Sequence, residues 1–86
     1  MTFRLRSDEL EWKQIDDEIV ALDTRRAEYL SIEGSGVSLW HALQAGATRS
    51  ELAASLIARY GIDETRAGAD VDVFLDDLAQ KGLLAE

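Results

Sequence analysis

Apolar and polar positions nearly alternate over the first third of the chain, then adopt a longer period after residue 34. Leu10-Glu11-Trp12-Lys13-Gln14-Ile15 carries the period-two mark of a half-buried strand. Asp16-Asp17 turns the chain, and Ile19 to Leu22 reads as a second strand. A third, Glu28-Tyr29-Leu30-Ser31-Ile32, follows the charged segment Asp23-Thr24-Arg25-Arg26. That segment predicts a hairpin loop of about four residues, with no Asn-Gly pair to fix its type. The third strand's pattern leaves its facing open. Either Leu30 turns inward while Tyr29 and Ser31 share the other face, or Tyr29 is inside and Leu30 and Ile32 are left out. Residues 1 to 8 read as a loosely ordered arm or short edge strand, with Phe3 and Leu5 pointing one way.

Beyond Gly34-Ser35-Gly36 the spacing becomes helical. A first helix is predicted from Ser35 to Ala45, with Gly46 as its stop. Thr48-Arg49-Ser50-Glu51 is a capping box, in which hydroxyl and carboxylate satisfy orphan backbone donors reciprocally. Leu52, Leu56 and Tyr60 then recur every fourth residue until Gly61 ends the second helix. Asp63 is a good N-cap for a third, with Glu64 favourably placed in the first turn. Its apolar stripe is Ala67, Val71, Phe74, Leu75 and Leu78; Gly82 closes it and Leu83-Leu84 fold back.

Strands followed by helices predict an α+β domain, winged-helix-like, with a three-stranded antiparallel sheet and then three helices. The 86 residues are read as a single domain, 1–86, with a real though thin core. Its third strand is left with few partners, so its backbone N–H and C=O groups are free to accept an extended peptide. On a helical wheel Asp70, Val73 and Asp77 continue round from Phe74, outside the buried stripe of the third helix. Val73 is then either an incidental exposed valine or, with Phe74, one wall of a groove whose other wall is the third strand.

Charge narrows the choice of partner. Seventeen acidic against nine basic residues give a net −8. Such a surface is repelled by DNA and by anionic membranes, because phosphate affinity comes largely from Lys and Arg. The third helix is the acidic one, and Arg4, Arg6, Arg25 and Arg26 at one end of the sheet would not outweigh it. Neither nucleic acid nor membrane is expected as a partner. No run approaches the roughly 20 apolar residues of a membrane span, and no apolar run follows Arg4 and Arg6 as in a signal peptide. A cytoplasmic protein is therefore the expectation.

Chemistry is sparse. The chain has no cysteine, hence no disulfide, thiolate metal site or cysteine nucleophile. The single histidine, His41, lies beside Trp40 without a serine partner and reads as a packed or half-exposed helix residue. Asp72 and Asp76 share a helix face but are too few oxygen ligands for a metal site. Gly34 and Gly36 lack the third glycine or lysine of a phosphate loop. The expectation is a non-enzyme with no metal and no cofactor.

Trp12, Ile19-Val20-Ala21-Leu22-Asp23, Glu28-Tyr29-Leu30, Gly36 and Leu39-Trp40 together resemble the first half of the PqqD family. Thr48 to Leu52, Leu56, Tyr60-Gly61, Ala69-Asp70-Val71, Phe74-Leu75, Leu78 and Gly82-Leu83-Leu84 resemble its second half. Ser31 stands where the family commonly has asparagine, and Ala27 where it has the hairpin glycine. The resemblance implies a precursor-peptide recognition element of three strands and three helices, which binds a leader segment as an added strand on its third strand. Carried over, it puts the peptide on Glu28, Tyr29, Leu30, Ser31 and Ile32. The helix wheel adds Asp70, Val73, Phe74 and Asp77 as the facing wall. The chain is most similar to the stand-alone leader-binding proteins of lasso-peptide biosynthesis, whose implied partners are a precursor leader peptide and a separate leader peptidase. The alternatives are a PqqD-type chaperone for a radical enzyme in cofactor biosynthesis and an acidic scaffold subunit.

Overall fold

The computed structural model describes residues 1–85. Eight elements follow in order: β1 (Thr2–Phe3), β2 (Leu10–Ile15), β3 (Glu18–Asp23), β4 (Glu28–Ile32), α1 (Ser35–Ala45), β5 (Ala47–Thr48), α2 (Arg49–Tyr60) and α3 (Glu64–Gln80). The fold is α+β: β2, β3 and β4 form an antiparallel meander, and the three helices follow it. The third strand of the sequence pattern is β4.

Register explains the turns. Ile15 pairs with Glu18 across Asp16-Asp17, and Asp23 pairs with Glu28 across the four-residue loop Thr24 to Ala27. Asp16 and Ala27 both have φ of 55°, the left-handed region that glycine enters most cheaply. The facing of β4 is now fixed: Ile32 is 7% exposed and Leu30 half-buried, whereas Tyr29 is 76% exposed and Ser31 also faces out.

The N-terminal arm departs from expectation. It is tied down rather than loose: β1 pairs antiparallel with β5 through Thr2–Thr48 and Phe3–Ala47, and Leu5 bridges Leu84. The Leu5 N–H donates to Leu43 O at 3.0 Å and the Arg6 N–H to Leu83 O at 2.8 Å. Leu5 is buried, while Phe3 packs against the core from its edge. Two-residue strands are too short to show a period, so β5 left no mark in the sequence.

The helices begin and end where their local chemistry directs. At α2 the Glu51 N–H donates to Thr48 Oγ1 at 3.1 Å, and the Thr48 N–H donates to Glu51 Oε1 at 2.8 Å. At α3 the Arg66 N–H donates to Asp63 Oδ1 at 2.8 Å. The core joins Ile19, Ala21 and Ile32 of the sheet to Leu39, Trp40 and Leu43 of α1, Leu52 and Leu56 of α2, and Val71, Leu75 and Leu78 of α3. Trp12 meets Trp40 edge-on, with ring centroids 5.9 Å apart. Tyr60 leaves the apolar repeat of α2: at 48% exposed, it lies past the point where α2 still touches the core.

Candidate functional site

β4 is the last strand of its sheet, so one of its margins has no neighbour among the described residues. Which groups it presents follows from the ladder. Thr24 N–H donates to Glu9 O at 3.0 Å, on the β2 side of β3. Hydrogen-bonded and non-hydrogen-bonded pairs alternate along an antiparallel ladder. Leu22 and Val20 therefore point their backbone groups at β2, and Asp23, Ala21 and Ile19 point theirs at β4. Their partners Glu28, Leu30 and Ile32 are thus consumed within the sheet. Tyr29 and Ser31 are left to present N–H and C=O groups to the open margin.

Beside that margin lies a groove of about 520 Å³ between β4 and α3. Leu30, Ser31 and Ile32 line one side; Asp70, Val73, Phe74 and Asp77 line the other. Leu39 and Gly36 of α1 form part of its lining. Gly36 is the residue that lets these walls meet: a Cβ there would stand 2.8 Å from Ile32 Cγ2 and 3.2 Å from Phe74 Cε1. Val73 is 71% exposed and Phe74 half-buried, so the wall is apolar yet reachable from solvent.

Seven of the nine residues expected from sequence are therefore brought together. Glu28 and Tyr29 do not line the groove; the Tyr29 side chain stands on the opposite face of the sheet, and only its backbone belongs to the margin. Glu33, Ser35, Gly36, Leu39 and Lys81 also line it. Gly36 and Leu39 were visible as helix residues, but nothing in their spacing points to a groove. Lys81 was placeable on the wheel beside Asp77.

The rim carries Glu33, Asp70 and Asp77 against Lys81. Lys81 Nζ lies 2.9 Å from Asp77 Oδ2, while Arg66 Nε is 3.9 Å from Asp70 Oδ2. Asp77 is thus the better neutralised of the two helix carboxylates, and both pairs are exposed and weak.

The arginines do not gather as a basic patch. Arg6 is buried against Asp23 at 2.6 Å, also donating to the backbone oxygens of Asp8, Glu9 and Gly82. Arg25 pairs with Asp8 at 3.0 Å, and Arg4 reaches Ala45 O. His41 Nε2 lies 2.6 Å from Gln14 Oε1, and its ring meets the edge of Trp12. Asp72 is engaged by Arg49 at 2.6 and 2.9 Å, and this hydrogen bonding holds its carboxyl below the usual carboxylate range despite some burial. That ion pair bridges a second hollow, about 670 Å³, between α2 and α3, which no strand margin borders. No group of three or more metal-ligating side chains occurs among the described residues, and no helix there is long and apolar enough to cross a membrane.

Fold and site define a small α+β domain that offers an open strand margin beside an amphipathic helix. Residues 18–84 match the family model described as Coenzyme PQQ synthesis protein D (PqqD), and the chain belongs to that family. Two solved structures share its fold over almost its full length. One is described as TbiB1 in complex with the TbiA(beta) leader peptide: 31% identical, TM-score 0.86, covering 94% of this chain and 93% of that one. The other, a lasso peptide synthetase B1 complexed with the leader peptide, is 27% identical with a TM-score of 0.85, covering 98% of each chain. No curated protein matches the chain.

Proposed function

We propose that this protein is a precursor-peptide recognition element. It binds the leader segment of a ribosomally made precursor as an added strand on β4 and presents it to a separate processing enzyme, the leader peptidase of a lasso-peptide pathway. The observation that carries this reading is the open β4 margin with an apolar groove beside it, in a fold shared with two chains solved in complex with leader peptides. The nine residues expected from sequence act here in different ways. Tyr29 and Ser31 supply backbone groups, Glu28 anchors the start of β4 through its pairing with Asp23, and Leu30, Ile32, Val73 and Phe74 receive apolar leader side chains. Asp70 and Asp77 steer a basic leader.

The physics is that of strand addition. Backbone hydrogen bonds give affinity that tolerates sequence change, and pockets for alternate side chains give selectivity. Each apolar anchor entering the groove contributes about 1 to 3 kcal/mol through buried area. The acidic rim raises the association rate of a basic leader, and salt weakens that effect. On this account the protein makes and breaks no covalent bond; held near the enzyme, it raises the local concentration of substrate. It works in the cytoplasm, as one unit over its whole length. A second reading, a PqqD-type chaperone for a radical enzyme, is favoured by the family match and differs only in the enzyme served.

The test is a fluorescence anisotropy titration of labelled leader peptides taken from any short reading frames found beside this gene. Saturable binding is expected, with Phe74→Ala weakening it about tenfold through lost apolar contact. Equal affinity in a folded Phe74→Ala protein would contradict the groove assignment.

A further inference from the structure

An added strand sends its successive side chains to opposite faces of the sheet. One set of leader side chains would enter the groove, and the other would stand on the outer face beside Tyr29. A sheet face open to water is ordinarily polar at alternate positions. This one mixes the two: Glu11, Lys13, Glu18 and Ser31 share it with an apolar group in which Val20 and Leu22 are half-buried and Ile15 and Tyr29 are 47% and 76% exposed. Leu22 lies directly opposite Tyr29 in the ladder, and by the alternation above theirs is a non-hydrogen-bonded pair, whose side chains approach most closely. Tyr29 also borders a shallow hollow of about 270 Å³ with Val20, Leu22, Glu11 and Lys13. The row Leu22–Tyr29 therefore ends, with its largest apolar side chain uncovered, at the margin where the leader would lie.

We propose that the leader is read on both faces of the sheet, and that Tyr29 is the specificity-determining residue on the outer one. The inference rests on strand addition to β4. Its occupant is the outward side chain of the leader residue lying beside Tyr29 in the extended sheet. Continuity of the row with the β4 margin fixes the place of that side chain, and the row fixes its chemistry. On this face Glu18 of β3 is engaged with the Ser31 hydroxyl, and Glu11 and Lys13 stand on β2, two strands from the margin. An aromatic or branched aliphatic side chain fits; a charged one gains no partner. Tyr29 then acts as a cross-strand neighbour, the commonest unit of sheet stabilisation.

The experiment uses the full chain and the labelled synthetic leader that binds in the titration above, with its residues changed to alanine one at a time. Tyr29→Thr keeps a strand-forming residue at an exposed position, and circular dichroism checks its fold. It is expected to weaken the parent leader about fivefold, the scale of one aromatic cross-strand contact. In that variant, alanine at one outward leader position should no longer cost affinity, while alanine at inward positions still does. Phe74→Ala should show the reverse pattern, and Tyr29→Phe should bind as the wild type does. Unchanged affinity in Tyr29→Thr, with inward positions still coupled to Phe74, would overturn outer-face reading and leave strand addition standing. Loss of coupling at both residues, or no binding of the leader to the folded protein, would overturn both.

Discussion

Asp23 ends β3 with one carboxylate oxygen accepting from the Arg6 guanidinium at 2.6 Å and from the N–H groups of Arg25 and Arg26 at 3.0 and 3.3 Å. Burial alone would raise its carboxyl. The Arg6 hydrogen bond, the Arg26 N–H, the Arg6 charge and the Arg25 N–H outweigh burial and hold it below its ordinary 3.8. A depressed folded value means that the ionised form stabilises the fold. That contribution is complete above 3.8 and is lost as pH falls through the lower folded value. Thermal melts of the wild type and Asp23→Asn should therefore differ most near neutrality, and the gap should close in acid. A gap that stays constant with pH would mean that Asp23 acts by shape alone. The sequence showed a charged turn here, but not that Arg6, distant along the chain, completes it. Gly36 is a similar case: its packing against Ile32 and Phe74 joins residues that only the folded chain brings together.

Among the elements, those closed by local chemistry were legible and those defined by distant pairing were not. The capping box at Thr48 and the Asp63 cap each lie within four residues, so α2 and α3 could be placed from sequence. The facing of β4 could not, because Tyr29, Leu30 and Ile32 put large apolar groups on both sides of the strand. The core decides it by taking Ile32. Once the facing and register are known, the open margin has a definite chemistry, and Ser31 is the place to probe it. Proline is tolerated on an edge strand where its missing N–H would face outward. Ser31→Pro should fold, because that N–H is not part of the β3 ladder, and it should weaken leader binding on the order of tenfold by removing a donor. Wild-type affinity in the folded variant would show that the peptide does not pair through Ser31.

At the scale of the whole molecule, the net charge of −8 is a coarse guide to the site. Arg6, Arg25 and Arg49 are each committed to carboxylates, and Lys81 sits against Asp77 at the groove itself. The helical wall of the groove was readable because Asp70, Val73, Phe74 and Asp77 follow one another around a single helix. Glu33, Ser35 and the approach of α1 were not, because they depend on how the β4–α1 connection turns at Gly34, whose φ is 62°. The meander also has a second open margin, on β2. There the same alternation leaves Trp12 and Gln14 presenting backbone groups outward. The leader is assigned to β4 because the groove there is walled by Leu30, Ile32, Val73 and Phe74, whereas the hollow that Gln14 of β2 borders is lined largely by polar side chains.

Amide hydrogen exchange, resolved by residue with and without saturating leader peptide, tests that assignment most directly. The Tyr29 and Ser31 amides should gain protection on binding, while the outward amides of Trp12 and Gln14 stay as they were. Protection appearing on β2 or between α2 and α3, with Tyr29 and Ser31 unchanged, would contradict it.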